Sequence, residues 1–97
     1  MSQPHAFVNL PKFPVGQTVI TANARSVLTE LDVLMALQRH HSGDWGEVDA
    51  HDGQMNESGL HTGGRLVSIY KSVRGQKFYI ITEWDRSATT VLLPEDY

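Results

Sequence analysis

The C-terminal third of the chain alternates apolar and polar residues with a period of two. The segments RLVSIYKSV, KFYIITEW and SATTVLLP each follow this pattern, and Pro94 stops the last of them. Arg74-Gly75 and Asp85-Arg86 mark tight turns between the segments, because glycine and aspartate favour turn conformations. Since successive side chains of a strand point to opposite faces, the pattern predicts three strands joined as an antiparallel meander.

A central stretch carries apolar residues at helical spacing instead. Thr29 and Asp32 have the spacing of a capping box, which marks the start of a helix. Three apolar residues then follow at helical spacing: Val33, Leu34 and Leu37. Three further residues occupy the last turn, where positive charge suits the helix dipole: Arg39, His40 and His41. Gly43 supplies a left-handed stop after that turn.

Two weaker elements precede this helix. Residues 15–21 contain β-branched side chains bounded by Gly16 and Asn23, and they predict a short strand that joins one edge of the meander. Thr21 or Asn23 can then cap a brief helical turn through Leu28.

A polar helix is predicted over residues 50–61. Asp49 is its expected cap, and Asp52 places a second carboxylate beside the positive end of the dipole. Gly53 and Gly59 oppose it, since each costs about 1 kcal/mol relative to alanine in a helix. Such a helix needs packing against another element, and a loop is the alternative.

These elements predict an α+β fold with two or three helices packed on a three- to four-stranded antiparallel sheet. Residues 15–97 form the expected single domain. Residues 1–14 hold three of the four prolines and predict an extended arm that lies on the domain.

Composition narrows the function classes. A chain of 97 residues with 40% hydrophobic and 20% charged residues is typical of one soluble globular domain. The absence of cysteine excludes disulfides, thiolate catalysis and cysteine-ligated metals. A net charge of -3 argues against nucleic acid as a direct ligand, which would need a local basic patch. No leader or membrane-spanning run is visible, so the cytoplasm is the expected location.

Residues 40–61 contain four of the five histidines and five of the eleven carboxylates. Several could ligate a metal: His40, His41, Asp44, Asp49, His51, Asp52, Glu57 and His61. Their spacings match no metal motif, and adjacent residues diverge by about 100° on a helix, so we predict neither a metal nor a cofactor. An acidic docking surface for a protein is the preferred interpretation, with these contact residues: Asp44, Trp45, Glu47, Asp49, Asp52 and Glu57. Trp45, flanked by Gly43 and Gly46, also suits a structural clamp on the preceding helix.

The charges are also separated along the chain. The acids lie between residues 40 and 64, whereas five bases lie between residues 65 and 86: Arg65, Lys71, Arg74, Lys77 and Arg86. Such a dipolar surface can steer a charged protein partner, although the two faces can equally pair with each other.

The segment ITEWDRSATT offers a different chemistry. Glu83 and Arg86 lie at a strand end and turn, where His51 or His61 and Tyr79 could complete an acid-base set for phosphodiester cleavage. The simpler interpretation is a tight turn in which Asp85 caps backbone amides and Arg86 pairs with a neighbouring carboxylate. The sequence therefore favours a binding protein over an enzyme.

Three segments carry a family resemblance: HHSGDWGEVD, GGRLVSIY and FYIITEWDRSATTVLLPEDY. They resemble a group of short bacterial proteins found on plasmids, phages and other mobile elements, over roughly residues 15–97. This resemblance implies an accessory protein that binds and blocks a host defence complex, such as an anti-CRISPR or anti-restriction protein. The alternatives are a small metal-independent ribonuclease or toxin-like enzyme, and a structural accessory of plasmid transfer or replication. The sheet edge also leaves homodimerisation open.

Overall fold

The computed structural model describes residues 11–97. Most of the arm predicted for residues 1–14 lies outside the described residues. The elements follow in the order β1 (Gln17–Ile20), α1 (Ala22–Val27), α2 (Glu30–His41), α3 (Ala50–Thr62), β2 (Leu66–Lys71), β3 (Lys77–Thr82), β4 (Ala88–Leu92) and a short 3-10 helix (Pro94–Asp96). The predicted α+β fold is confirmed.

The four strands form one sheet in the order β1-β4-β3-β2. The β2–β3 and β3–β4 pairs are antiparallel, which confirms the predicted meander. β1 joins the β4 edge as expected, but it runs parallel to β4, with Gln17 beside Ala88. The sheet is therefore mixed, because the chain enters β1 and β4 from the same end.

One face of the sheet packs against α1 and α2. The alternate residues of the meander are buried on this face: Leu66, Ser68, Tyr70, Phe78, Ile80, Thr82, Thr89 and Val91. Ala24, Leu28 and Ala36 cover them from the helices, and Val33 and Leu37 pack partly against the same cluster. Burial of each large apolar side chain contributes roughly 1.5–3 kcal/mol, so this layer is the main source of stability.

Each predicted helix start is capped by the side chain that the sequence indicates. The Thr21 hydroxyl accepts from the Ala24 N–H, and Asp49 accepts from the Asp52 N–H at 2.8 Å. Thr29 and Asp32 form the reciprocal capping box. These caps satisfy amides that have no partner inside a helix, and each is worth roughly 1 kcal/mol.

α3 lies along the outer edge of β2, and this packing stabilises it despite its two glycines. The side-chain amide of Asn56 donates to the Val67 carbonyl at 2.8 Å and accepts from the Val67 N–H at 3.0 Å. Gly59 permits the close approach, since a β-carbon there would lie 3.3 Å from Leu66 and 3.4 Å from Gly64. The helical alternative for residues 50–61 is therefore correct.

A second segment closes the same edge of β2. The Glu47 N–H donates to the Ile69 carbonyl at 2.7 Å, and the Ile69 N–H donates to the Trp45 carbonyl at 3.1 Å. Together with Asn56, this segment pairs the outward-facing peptide groups of Val67 and Ile69. Within residues 11–97, every helix is too short or too polar to cross a bilayer.

Candidate functional site

The GDWG turn is a structural clamp at the end of α2. Trp45 is buried, its ring stacks on Phe13 at 6.2 Å between centroids, and its Nε1–H donates to Glu57 at 2.8 Å. Gly46 has a φ of 72°, and a β-carbon at this position would overlap the Ile69 carbonyl. The clamp role predicted for Trp45 is confirmed, and its buried ring presents little surface to a partner.

The acidic residues of the predicted docking surface hold the fold locally. Arg39 donates to both carboxylate oxygens of Asp44, at 2.7 and 3.2 Å, and these bonds lower the pKa of Asp44. Asp49 caps α3 and Glu57 holds Trp45. Glu47 and Asp52 remain as acids whose side chains accept no hydrogen bond from another described residue. Three of the five acids therefore also stabilise the fold locally, while all five carboxylates remain exposed.

Arg86 ties the β3–β4 turn to α3. Its Nη2 donates to the Gly59 carbonyl at 2.8 Å, and its Nη1 donates to the Gly64 carbonyl at 2.6 Å and the Glu83 carbonyl at 3.1 Å. The guanidinium also lies 5.8 Å from the centroid of the Phe13 ring. Arg86 is therefore committed to backbone carbonyls, which corrects both the idea of a phosphate-binding cation and the expected pairing with a carboxylate. The expected cap is present, since Asp85 accepts from the Ser87 N–H at 3.0 Å.

The other members of the suggested acid-base set separate into two places. His51 and Tyr79 line the same pocket between α3 and the second face of the sheet. Glu83 lies beyond the end of β3 and does not line that pocket, and His61 is exposed in the last turn of α3. The structure therefore does not assemble the predicted set.

His40 is the most deeply placed polar side chain of α2, although its position in the last turn predicts a charged surface residue. It is fully buried between Ser68, 2.6 Å from Nδ1, and Thr82, 2.9 Å from Nε2. The expectation of an exposed cation is wrong here. The signal was present in the helical spacing, because His40 follows Val33 and Leu37 on the same face.

The direction of this hydrogen-bond chain fixes the state of the ring. The Thr89 hydroxyl donates to the Val15 carbonyl at 2.8 Å, so the Thr82 hydroxyl donates to Thr89 across 2.7 Å. Thr82 must then accept from Nε2–H of His40, which leaves Nδ1 to accept from Ser68. Burial, with a smaller contribution from the charge of His41, lowers the pKa of His40 to about 3. The ring is neutral and out of reach of any substrate.

Among residues 11–97, no three histidine or carboxylate side chains are grouped closely enough to hold a metal ion. His40 offers no free nitrogen to a metal ion, because both of its ring nitrogens are hydrogen-bonded to hydroxyl groups. Within the same residues, Arg39 and Asp44 form an ion pair. The acidic segment (residues 40–64) and the basic segment (residues 65–86) form no ion pair with each other within 4 Å.

An exposed apolar patch lies on the outer side of α2. Its members are Leu31, Leu34, Met35 and Val73. Leu31 and Leu34 are each 63% exposed, Met35 is 58% exposed, and Val73 in the β2–β3 turn is 92% exposed. The 31, 34, 35 spacing puts three of them on one helical face, distinct from the face of Val33 and Leu37. The sequence analysis grouped Leu34 with Val33 and Leu37 by helical spacing and overlooked this second face.

A groove runs beside this apolar patch, between α2 and the β2–β3 turn. Its volume is about 240 Å³. Leu31, Met35 and Val73 line it together with Tyr70 and Phe78. Polar side chains also line it: Asp32, Arg39, Lys71 and Ser72. The combination of an apolar bed with charged neighbours is typical of a protein-binding groove.

A second pocket lies on the sheet face that points away from α1 and α2. Its volume is about 430 Å³. The sheet contributes Val67, Ile69, Tyr79 and Ile81, α3 contributes His51, Asp52, Met55 and Asn56, and Arg65 and Tyr97 complete the lining. The Tyr79 and Tyr97 rings meet edge to face at 5.9 Å between centroids.

No protein-family model matches the sequence, and neither a curated protein nor a solved structure is significantly similar to it.

Proposed function

We propose that this chain is a small binding protein whose contact surface is the apolar patch on α2. The main observation that supports this proposal is the exposure of Leu31, Leu34 and Met35 on one helical face beside Val73. Contiguous apolar surface of this kind is unusual on a protein that works alone, because its removal from water is favourable by roughly 25 cal/mol per Å².

The proposed partner is a different protein that presents an apolar helix face. The 31, 34, 35 spacing is the seam that one helix offers to another, since side chains at these intervals form a ridge. The groove beside the ridge can accept an apolar side chain between Met35 and Val73. Asp32 and Arg39 lie along the groove, where charges set the orientation and rate of docking more than the affinity.

The resemblance to proteins of mobile elements supports a component of a host defence complex as this partner. An anti-CRISPR or anti-restriction inhibitor in the cytoplasm remains our proposal for the biological role. Glu47 and Asp52 supply acidic contacts at the periphery in this arrangement. The bonds that Arg86 makes to Gly59 and Gly64 weigh against the alternative of a ribonuclease built on the β3–β4 turn.

The test compares two methionines of equal exposure. Met35 is 58% exposed inside the apolar patch, and Met55 is 59% exposed on α3. Tagged wild-type protein is used to capture partners from a nuclease-treated host lysate, and the stoichiometric protein is identified by mass spectrometry and purified. Met35→Lys should weaken binding of that purified protein at least tenfold, because a charge enters the centre of the interface. Met55→Lys should leave it unchanged.

Two outcomes would contradict the proposal. Binding that survives both Met35→Lys and the double variant Leu31→Lys with Leu34→Lys would place the contact elsewhere. Light scattering that shows a wild-type dimer, converted to a monomer by the same variants, would assign the apolar patch to a second copy of this chain.

A further inference from the structure

The second face of the sheet differs from the first because α1 and α2 do not cover it. Val67, Ile69 and Tyr79 are half-buried there and form an apolar floor, whereas Ile81 beside them is 2% exposed and adds no free surface. The pairing of Val67 with Ile81 and of Ile69 with Tyr79 sets these side chains in two adjacent rows. This floor offers planar apolar surface to a ligand without any rearrangement of the core.

An exposed aromatic ring stands at this floor. Tyr97 is 70% exposed, its ring lies edge to face with Tyr79, and the Arg65 guanidinium is 5.4 Å from its centroid. The contacts with Tyr79 and Arg65 orient the ring without burying it. A ring held in this way is suited to stacking against a flat group, and the neighbouring cation is suited to an anion attached to that group.

Three cations frame the same face. Lys71 and Lys77 are directly opposite each other in the β2–β3 register, and both are exposed. Like charges in that position destabilise a sheet, so the pair has an unfavourable energy unless an anion lies between or above them. Arg65 lies immediately before the first residue of β2 and six residues before Lys71, which places it about 20 Å from Lys71 at the other end of the strand. Within residues 11–97, none of the three forms an ion pair with a carboxylate.

We propose that this face binds single-stranded nucleic acid. An extended chain of flat bases joined by phosphates fits a face with an exposed aromatic ring, an apolar floor and cations at both ends. The net charge of -3 supplies no general attraction, so the affinity must come from this local basic patch. Asp52 in the α3 wall directs phosphates away from α3, toward Lys71 and Lys77.

This site shares one residue, Lys71, with the groove beside the apolar patch, and its other residues lie on the opposite side of the sheet. The two proposals do not depend on each other. Loss of protein capture in the Met35→Lys variant leaves the nucleic-acid site intact, and loss of nucleic-acid binding in the Tyr97→Ala variant leaves protein capture intact.

The test is fluorescence anisotropy of the full chain with labelled single-stranded RNA and DNA of about ten nucleotides. Three phosphate contacts predict that the logarithm of the binding constant falls with the logarithm of salt concentration with a slope of about -2. Lys71→Glu with Lys77→Glu should weaken binding at least tenfold. The same double variant should reduce the absolute value of that slope to less than 1, because two phosphate contacts are lost. Tyr97→Ala should weaken binding about tenfold without changing the slope, because it removes stacking and no charge.

Matched controls separate this site from a general effect of charge or of aromatic surface. Lys12→Glu with Arg25→Glu makes the same change in net charge away from the sheet face. Trp84 is 68% exposed in the β3–β4 turn and does not line the pocket, so Trp84→Ala is the control for Tyr97→Ala. Both controls should bind as the wild type does, with circular dichroism confirming that every variant is folded.

Several results would overturn the proposal. These are no anisotropy change at millimolar protein, equal weakening by both charge-reversed pairs, or an unchanged affinity after Tyr97→Ala. Polyglutamate that competes as well as the oligonucleotide does would show a site for acidic polypeptides instead. A preference for RNA or for DNA in the direct titrations would identify which nucleic acid is the natural ligand.

Discussion

The Ser68 hydroxyl donates a hydrogen bond to Nδ1 of His40 across 2.6 Å, inside a core that water does not reach. A proton on Nδ1 would remove this acceptor and place a charge in an apolar environment. The folded protein therefore resists protonation of His40, whereas the unfolded chain takes up the proton at the usual pKa of about 6.5.

The first prediction is a loss of stability in mild acid. The pKa of His40 falls to about 3 on folding, so the unfolded state binds more protons between about pH 6.5 and pH 3. The free energy of unfolding should be constant above pH 7 and then decrease by up to about 1.4 kcal/mol per pH unit as the pH falls. His41, whose pKa is also lowered by burial, adds in the same direction. Urea unfolding at several pH values measures this slope.

Two exposed histidines provide the control for this prediction. His51→Gln and His61→Gln should keep the wild-type slope, because neither side chain is buried. NMR of the His40 ring should show a neutral Nε2–H tautomer throughout pH 5–8. A stability that stays level from pH 7 to pH 5 would be inconsistent with the buried neutral ring.

The second prediction concerns Arg86, whose planar guanidinium reaches carbonyls on two sides. Arg86→Lys should destabilise the protein by about 2–3 kcal/mol, because one ammonium cannot bond both Gly59 and Gly64 in the same geometry. In a domain of this size the melting temperature should fall by roughly 10 °C or more. Arg74→Lys in the exposed β2–β3 turn is the matched control and should change it little. Equal melting temperatures for the two variants would argue against the tie between the turn and α3.

The third prediction separates the two glycines of α3. A β-carbon at Gly53 would meet only Val48, at 3.8 Å, so Gly53→Ala should stabilise the protein by about 0.5–1 kcal/mol. A β-carbon at Gly59 would lie 3.3 Å from Leu66 and 3.4 Å from Gly64. Gly59→Ala should therefore destabilise it, since α3 must move away from β2. Thermal unfolding of both variants measures the difference, and stabilisation by both would show that α3 packs more loosely than described.

The local features of the fold could be predicted because they depend on residues close in sequence. The meander follows from a two-residue alternation, and the starts of α2 and α3 follow from Thr29 and Asp49, whose side chains bond amides three residues away. The direction of β1 could not be predicted in the same way. Its pairing with β4 joins residues more than 70 positions apart, and the alternation is identical for parallel and antiparallel strands.

The candidate functional residues divide in the same way, into roles that depend on neighbours in sequence and roles that depend on neighbours in the fold. Trp45 was correctly identified as a clamp because its flanking glycines are adjacent in sequence. The roles of Arg86 and Asp44 depend on the groups beside them in the fold, which are backbone carbonyls for Arg86 and the Arg39 guanidinium for Asp44. Residue type alone suggested a catalytic role for Arg86 and a docking role for Asp44. The apolar patch was overlooked because Leu34 is three residues from both Leu31 and Leu37, so its helical spacing fits the exposed face as well as the buried one.

The pairing of Asn56 and the segment at residues 45–47 with β2 limits how copies of this protein can associate. A fibre of stacked sheets grows only if each copy offers two free strand edges. Here the edge at β2 is already hydrogen-bonded within the chain, by Asn56 at Val67 and by the backbone of residues 45–47 at Ile69. Strand pairing through β1 would therefore terminate at two molecules, so the fold permits a closed dimer and opposes polymerisation.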